Sequence, residues 1–265
     1  MPIVMNKKIG ETPLQCLDRL RVEQPQFTKT FDKVGRDISI PLTYAGRLDP
    51  MADGVLLVLA GGECKDREKY LEMEKEYVCE ILWGFETDTH DILGKLLKVE
   101  KNKSRSELLF DVEKILTMLQ QFVGKRQQKF PAYSSKPVKG KPLHEWARAG
   151  RLDEIEIPSK EIEIRSIKLL ETKRFRVAEI KQIIFDRLAL VRGNFRQDEI
   201  ISDWKQRFNE INKNAEVVIS TIKVVCSSGT YIRGLAQELG GIVGVGSVVY
   251  KLTRIRVGGC CLPNL

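Results

Sequence analysis

The chain reads as an α+β protein. Segments with helical hydrophobic spacing and runs rich in valine and isoleucine are interspersed in it without regular alternation. Its 265 residues suffice to bury a sizeable core, as one large domain or two small ones. Neither internal repeats nor low-complexity segments interrupt the pattern.

Taken in order, the first helix begins at Thr12, a good N-cap, with Pro13 at the first helical position and Gln15 completing a capping box. Leu14, Leu17 and Leu20 then form an apolar face until Pro25 ends the pattern. The run Val55-Leu56-Leu57-Val58-Leu59-Ala60 is a buried strand or the buried part of a helix. Residues 76–83 alternate as a strand, with the aromatic and β-branched content a strand prefers. Ser106 to Gly124 is an amphipathic helix, striped by Leu108, Leu109, Val112, Ile115, Leu116, Leu119 and Phe122, and Gly124 stands at its C-cap. Between about 173 and 214, Ile180, Ile183, Ile184, Leu188 and Val191 repeat at helical spacing, and Asp198 to Ile211 suits a second helix. Residues 216–226 and 247–257 are strands, and Tyr231 to Val243 is a helix between them.

The formal net charge is +8 and the isoelectric point about 9.1, a balance that suits a polyanionic partner such as nucleic acid without requiring one. Six cysteines include no C-x-x-C pair, and the two histidines are far apart, so no zinc site is expected. No signal peptide and no apolar stretch long enough for a bilayer are seen, so a reducing, cytoplasmic location is the expectation.

The most informative stretch is Gly46-Arg47-Leu48-Asp49-Pro50-Met51-Ala52-Asp53-Gly54, a shaped polar loop directly before the apolar run. Asp49 sits where loop meets core, a position that serves a helix or strand cap as well as a rigidly aimed catalytic group. Three further stretches complete a series. Lys75-Glu76-Tyr77 leads to Gly84, Thr87-Asp88-Thr89-His90-Asp91 and Gly94. Pro131-Ala132-Tyr133-Ser134-Ser135-Lys136 leads to Lys139-Gly140-Lys141-Pro142-Leu143, Trp146-Ala147-Arg148 and Gly150. Last come Cys226-Ser227-Ser228-Gly229-Thr230-Tyr231-Ile232-Arg233, Leu239-Gly240 and Tyr250-Lys251-Leu252-Thr253-Arg254. In content and order these four motifs resemble the TruB family of pseudouridine synthases.

That resemblance implies a pseudouridine synthase catalytic fold, a central mixed or antiparallel sheet flanked by helices. Residues 1–265 would form one catalytic domain with a helical insertion at about 173–214. Many members of that family continue into a small C-terminal PUA domain; here the expectation departs from the family, since too little sequence follows the last strand to form one. The expected activity is conversion of a tRNA uridine, position 55 of the T-arm, to pseudouridine by base flipping, with no cofactor, no metal, no membrane, no obligatory protein partner and a monomeric state. The alternatives are a related synthase acting on another RNA and an inactive module that binds or folds tRNA. By resemblance Asp49 is the nucleophile, Arg233 its cation, and Tyr77 the aromatic under the uracil. Tyr231 and Leu252 wall the base pocket. Read only as residues, Tyr77 and Leu252 equally suit core packing. Tyr44 stands where many bacterial members have histidine, and offers a flat face and a hydroxyl beside the flipped nucleotide. Arg47 is another departure, a cation for phosphate or carboxylate. Lys8, Lys65, Lys136, Lys139, Lys141, Arg148 and Arg254 form a candidate phosphate track, though each alone is as readily a solvated cation. Arg192-Gly193-Asn194-Phe195-Arg196, basic with one aromatic, reads either as an RNA contact or as a solvated connector.

Overall fold

A computed structural model describes residues 1–99, 112–212 and 215–263. Strands β1 (Ile3–Lys7), β2 (Leu42–Ala45), β3 (Ala52–Ala60) and β4 (Lys75–Trp83) come from the first third of the chain, with helices α1 (Pro13–Glu23) and α2 (Arg67–Leu71). A small ribbon of β5 (Phe85–Thr87) and β6 (Leu96–Val99) follows, then helix α3 (Val112–Gln120), β7 (Gly124–Lys129), the hairpin β8 (Pro137–Val138) and β9 (Lys141–Pro142), and α4 (Leu143–Arg148). The long strand β10 (Ser159–Arg176) precedes the helix pair α5 (Val177–Ala189) and α6 (Gln197–Glu210). Strand β11 (Glu216–Cys226), helix α7 (Ile232–Val243), β12 (Ser247–Val257) and β13 (Cys260–Cys261) complete it.

Nine strands form one sheet in the order β1-β3-β12-β4-β11-β10-β7, with β2 beside β3 and β13 beside β12. Every pairing is antiparallel except β12 with β3, so the sheet is mixed, as expected. The β3–β12 pairing sets the site, because it seats the loop before β3 against the end of β12. A Cβ on Gly54 would lie 2.2 Å from the Arg254 carbonyl oxygen, and the backbone there has φ +100°, so glycine alone permits this approach.

Strand alternation sends Tyr77, Cys79, Ile81 and Trp83 of β4 to one face, where they pack beneath α3 and α7 with Leu119, Ile232, Leu235 and Leu239. The opposite face packs Leu82, Val248 and Tyr250 against the pair α5–α6, through Ile184, Leu188, Trp204 and Phe208. Helix α1 covers Met5, Leu56 and Val58 at the far edge.

The capping box at Thr12 and Gln15 forms as read, closed by bonds of 2.7 and 3.2 Å. Leu14, however, is exposed, and Pro13, Cys16, Leu17 and Leu20 make the buried face. Steps of three residues fall short of a turn, so a face running through Leu17 and Leu20 leaves Leu14 outside it. Residues 52–60 are a strand, resolving the ambiguity of the apolar run. Of the helix read over 106–124, Ser106 to Asp111 lies outside the described residues and the described part ends at Gln120, with Leu116 exposed. Gly124 is not its cap but opens β7, with φ +107°. The two helices read after residue 173 are present, but Lys173–Arg176 still belongs to β10, paired with Ile219 back to Glu216. Its lysine and arginines hid that strand end.

Candidate active site

Asp49 lies in the loop between β2 and β3, and Arg233 on the first turn of α7. Arg233 is only 5 % exposed and donates from Nε to Asp49 Oδ2 at 2.7 Å. Its other two nitrogens donate to main chain, Nη1 to the Thr89 oxygen at 2.6 Å and Nη2 to the Tyr133 oxygen at 3.2 Å. A second carboxylate, Asp91, stands 3.7 Å from the same Nε and is itself held by the Thr89 hydroxyl and the Leu93 amide. Burial opposes the Arg233 charge, but Asp49 and Asp91 outweigh it and hold its pKa above the usual guanidinium value. Burial pushes the Asp91 carboxyl up to about 6 despite the Arg233 charge. One buried cation thus orients one partly exposed carboxylate and is braced by a second that is buried.

The turn that supplies Thr89 and Asp91 is tightly built. The Asp88 carboxylate accepts from the Lys95 amide at 2.9 Å, and a Cβ on Gly94 would sit 2.3 Å from the Thr89 hydroxyl oxygen. This explains why a glycine ends that motif.

Asp49, Leu48, Arg47, Ser134 and Ser135 form a wall shared by two cavities, both also reached by Arg233. The inner one, of about 490 Å³, is lined by Tyr77, Phe130, Tyr231, Leu252 and Lys75, a size and character common among small-molecule sites. Tyr77 is 8 % exposed, and burial raises its phenol pKa against the neighbouring Arg254 charge. Tyr231, the N-cap of α7, packs edge-on to Phe130 with ring centroids 5.6 Å apart and is fixed through its main chain by the Gln128 amide. Burial raises its pKa too, and the charge of Asp49 adds to the effect. The outer cavity, of about 400 Å³, is lined by Tyr44, Tyr133, His144, Arg148 and Arg196.

The structure therefore brings Asp49, Arg233, Tyr77, Tyr231, Leu252 and Arg47 together around the inner space, with exposed Lys136 at its rim and Tyr44 in the outer space. Exposed Arg47 donates to the Ser135 hydroxyl and, at 3.4 Å, to the Tyr44 hydroxyl. Five cations of the expected phosphate track do not stand free at the mouth. Lys8, Lys65, Lys139 and Lys141 are exposed but line neither cavity. Arg254 is 1 % exposed and donates to the main-chain oxygens of Val55 at 2.7 Å, Gly46 at 3.1 Å and Arg47 at 3.4 Å. It reaches the wall of the inner cavity and, with one bond from each nitrogen, braces the motif loop from beneath. Lys7, not Lys8, is the lysine beneath that loop. Its ammonium donates to the Ala52 oxygen at 2.5 Å, and burial lowers its pKa to about 8. Lys75 on the cavity wall is likewise lowered to about 8 by burial, aided by the like charge of Arg254. Among the described residues no three His, Cys, Asp or Glu side chains gather as metal ligands.

Comparison with known proteins gives the family. The model of the TruB family pseudouridylate synthase N-terminal domain matches residues 41–183. The chain belongs to the TruB family. The tRNA pseudouridine synthase B of Limosilactobacillus reuteri is 30 % identical over 262 residues, covering 99 % of this chain and 68 % of its own. That of Nostoc sp. is 29 % identical over 263 residues, covering 99 % and 69 %. Among solved structures, a Cbf5-Nop10-Gar1 complex shares the TruB-type fold at a TM-score of 0.54 and 17 % identity, over 97 % of this chain and 48 % of that one. This chain spans about half the length of that solved relative. Among the described residues no helix is long and apolar enough to cross a membrane.

Proposed function

We propose that this chain is a tRNA pseudouridine synthase that isomerises the T-arm uridine conventionally numbered 55, with Asp49 as the nucleophile. The observation that carries the reading is the Asp49 carboxylate, fixed 2.7 Å from the buried Arg233 on a wall shared by two cavities. Family membership supplies the reaction, and the relatives' activity on tRNA supplies the substrate class.

In that reaction the N1–C1′ glycosidic bond breaks, a C5–C1′ bond forms, C5 gives up its proton and N1 takes one up, so the product is an isomer and no external energy source is consumed. A carboxylate can add to the sugar or to the base, and either route needs it ionised and aimed. Arg233 supplies the aim: its Nε–H bonds the carboxylate, and its two other nitrogens are anchored to main chain, which fixes direction. The target base must first leave its stack, at a cost of a few kcal/mol that is least in a loop. In the inner cavity the uracil lies on Tyr77 between Tyr231 and Leu252, and such stacking contributes roughly 1–3 kcal/mol. The apolar walls exclude water and so strengthen the Asp49–Arg233 interaction. Exposed Arg47, Lys136 and Arg148 at the mouth meet backbone phosphates. The enzyme acts as a cytoplasmic monomer without cofactor.

Incubation with unmodified total tRNA, followed by mapping of pseudouridine, tests the assignment. Product at the T-loop site, lost in Asp49→Asn, is the expected result. Product at another uridine selects a synthase of different RNA specificity. Binding without product selects an inactive RNA-binding module, and substantial turnover by Asp49→Asn removes that residue from its role.

A further inference from the structure

The segment joining α5 to α6 reaches the site from outside the motifs. Asn194, Phe195 and Arg196 line the outer cavity together with Asp49, Tyr133 and Arg233. Arg196 has a left-handed backbone (φ 63°), unusual for a residue with a side chain. That turn is tied down by Gln197, whose side chain accepts from the Phe195 amide at 2.8 Å and donates to the Val191 oxygen at 3.2 Å. The Arg196 guanidinium grips Asp88 with two bonds, of 2.7 and 3.2 Å, and lies 4.3 Å over the Tyr133 ring. Asp88 immediately precedes Thr89, and Thr89 and Tyr133 are the two residues whose main-chain oxygens accept from Arg233. One guanidinium therefore clamps, by their side chains, the two loops that hold the other guanidinium by their backbones.

We propose that Arg196 is a positioning residue, fixing Arg233 and through it Asp49 for the reaction read above, on which this inference rests. An RNA contact is the other role open to an arginine at this mouth. Its side chain is only 16 % exposed, and both its fork and its face are already engaged, whereas nearby Arg148 is exposed and makes one bond, to the Asn194 oxygen at 2.8 Å. The helix pair is thus part of the catalytic scaffold in this chain and not an appendage to it.

The test compares Arg196→Ala, Arg196→Lys, Asp88→Asn and the double variant Arg196→Ala/Asp88→Asn in single-turnover assays on tRNA, alongside tRNA affinity and thermal melting. Arg196→Ala and Asp88→Asn should each slow conversion of bound tRNA by roughly tenfold or more, and the double variant should be no slower than the worse single one, because the pair acts as a unit. Affinity should stay within about threefold, since the clamp touches no phosphate. Arg196→Lys, which keeps the charge but loses the fork, should fall between wild type and Arg196→Ala. An unchanged rate on bound tRNA, or a loss confined to affinity, overturns the proposal. If Arg196→Ala does not fold, a wild-type rate in Arg196→Lys overturns it. A second readout does not depend on turnover: the Arg233 Nε–H resonance, assigned by its loss in Arg233→Lys, should exchange faster with solvent when Arg196 is altered. Should the wild-type chain make no pseudouridine, the functional reading fails while this resonance still decides the clamp, and an unaltered resonance refutes it.

Discussion

Arg233→Lys is the sharpest perturbation of the site, because it keeps the charge and removes the geometry. The arginine makes three directed bonds, to Asp49, to the Thr89 oxygen and to the Tyr133 oxygen. A single ammonium can pair with Asp49 or remain near Asp91, and leaves at least one of those carbonyls unsatisfied. The charge stays, so what is lost is directed hydrogen bonding, and a hydrogen bond in which a charged group takes part contributes about 1.5–3 kcal/mol. Asp49 is 33 % exposed, so water replaces part of that when the fork is lost. A loss in the lower part of that range, about 1.5–2 kcal/mol in transition-state stabilisation, remains, or roughly 10–30-fold in the single-turnover rate. Affinity for tRNA should hardly change, since a side chain 5 % exposed does not reach phosphate. Tritium release from a transcript labelled at uracil C5, with enzyme in excess, reads the chemical step directly. A rate within threefold of wild type, or a defect seen only in affinity, would refute the argument that Arg233 acts by aiming the carboxylate.

Three further outcomes follow from the same geometry. Tyr77→Phe keeps the stacking face and Tyr77→Ala removes it, so the alanine variant should be slower by roughly 10–100-fold, from about 1–3 kcal/mol of stacking; equal rates for the two in single turnover would assign the role to the hydroxyl instead. Gly54→Ala should lower Tm by roughly 6 °C or more, because the new Cβ meets the Arg254 carbonyl at 2.2 Å in a left-handed backbone, and an unchanged melt would mean that the β3–β12 pairing yields readily. Burial, with the nearby Arg233 charge, lowers the His90 pKa from 6.5 to about 4. The unfolded chain therefore takes up this proton first, and stability is lost as pH falls from about 6.5 towards 4. His90→Asn, which tolerates the left-handed backbone at that position, should lose about 2 kcal/mol less than wild type between pH 7.5 and 4.5. Equal losses in urea titrations at the two pH values would show that His90 is not the group responsible.

What could be read in the sequence divides along a physical line. Asp49, Tyr77 and Arg233 stand in dense motifs, and although 184 positions separate Asp49 from Arg233, the sheet brings them into contact. Asp91 stands in the turn Thr87-Asp88-Thr89-His90-Asp91, yet no local pattern shows its part, because bracing Arg233 is a relation among three loops. Parity within strands held more than was taken from it. Met5 and Lys7 are both buried in β1, so strict alternation places Lys7 inward and Lys8 outside, the reverse of the choice a basic residue invites. Leu252 and Arg254 share parity in β12 in the same way, so the arginine shares the side of a pocket-lining leucine and braces the loop from below. A cation in a strand is read as solvated by default; here two of them point inward, where main-chain oxygens of β3 and of the loop before it accept their bonds. The α5–α6 connector escaped for a different reason. Its value lies in Asp88 and Tyr133, residues distant in sequence, and no local pattern around Arg196 distinguishes a clamp from a solvated turn. The carboxylate proposed as nucleophile was therefore legible while the framework that holds it was not. A motif records the chemistry locally, but aiming it is a property of several main-chain oxygens converging on a few buried cations.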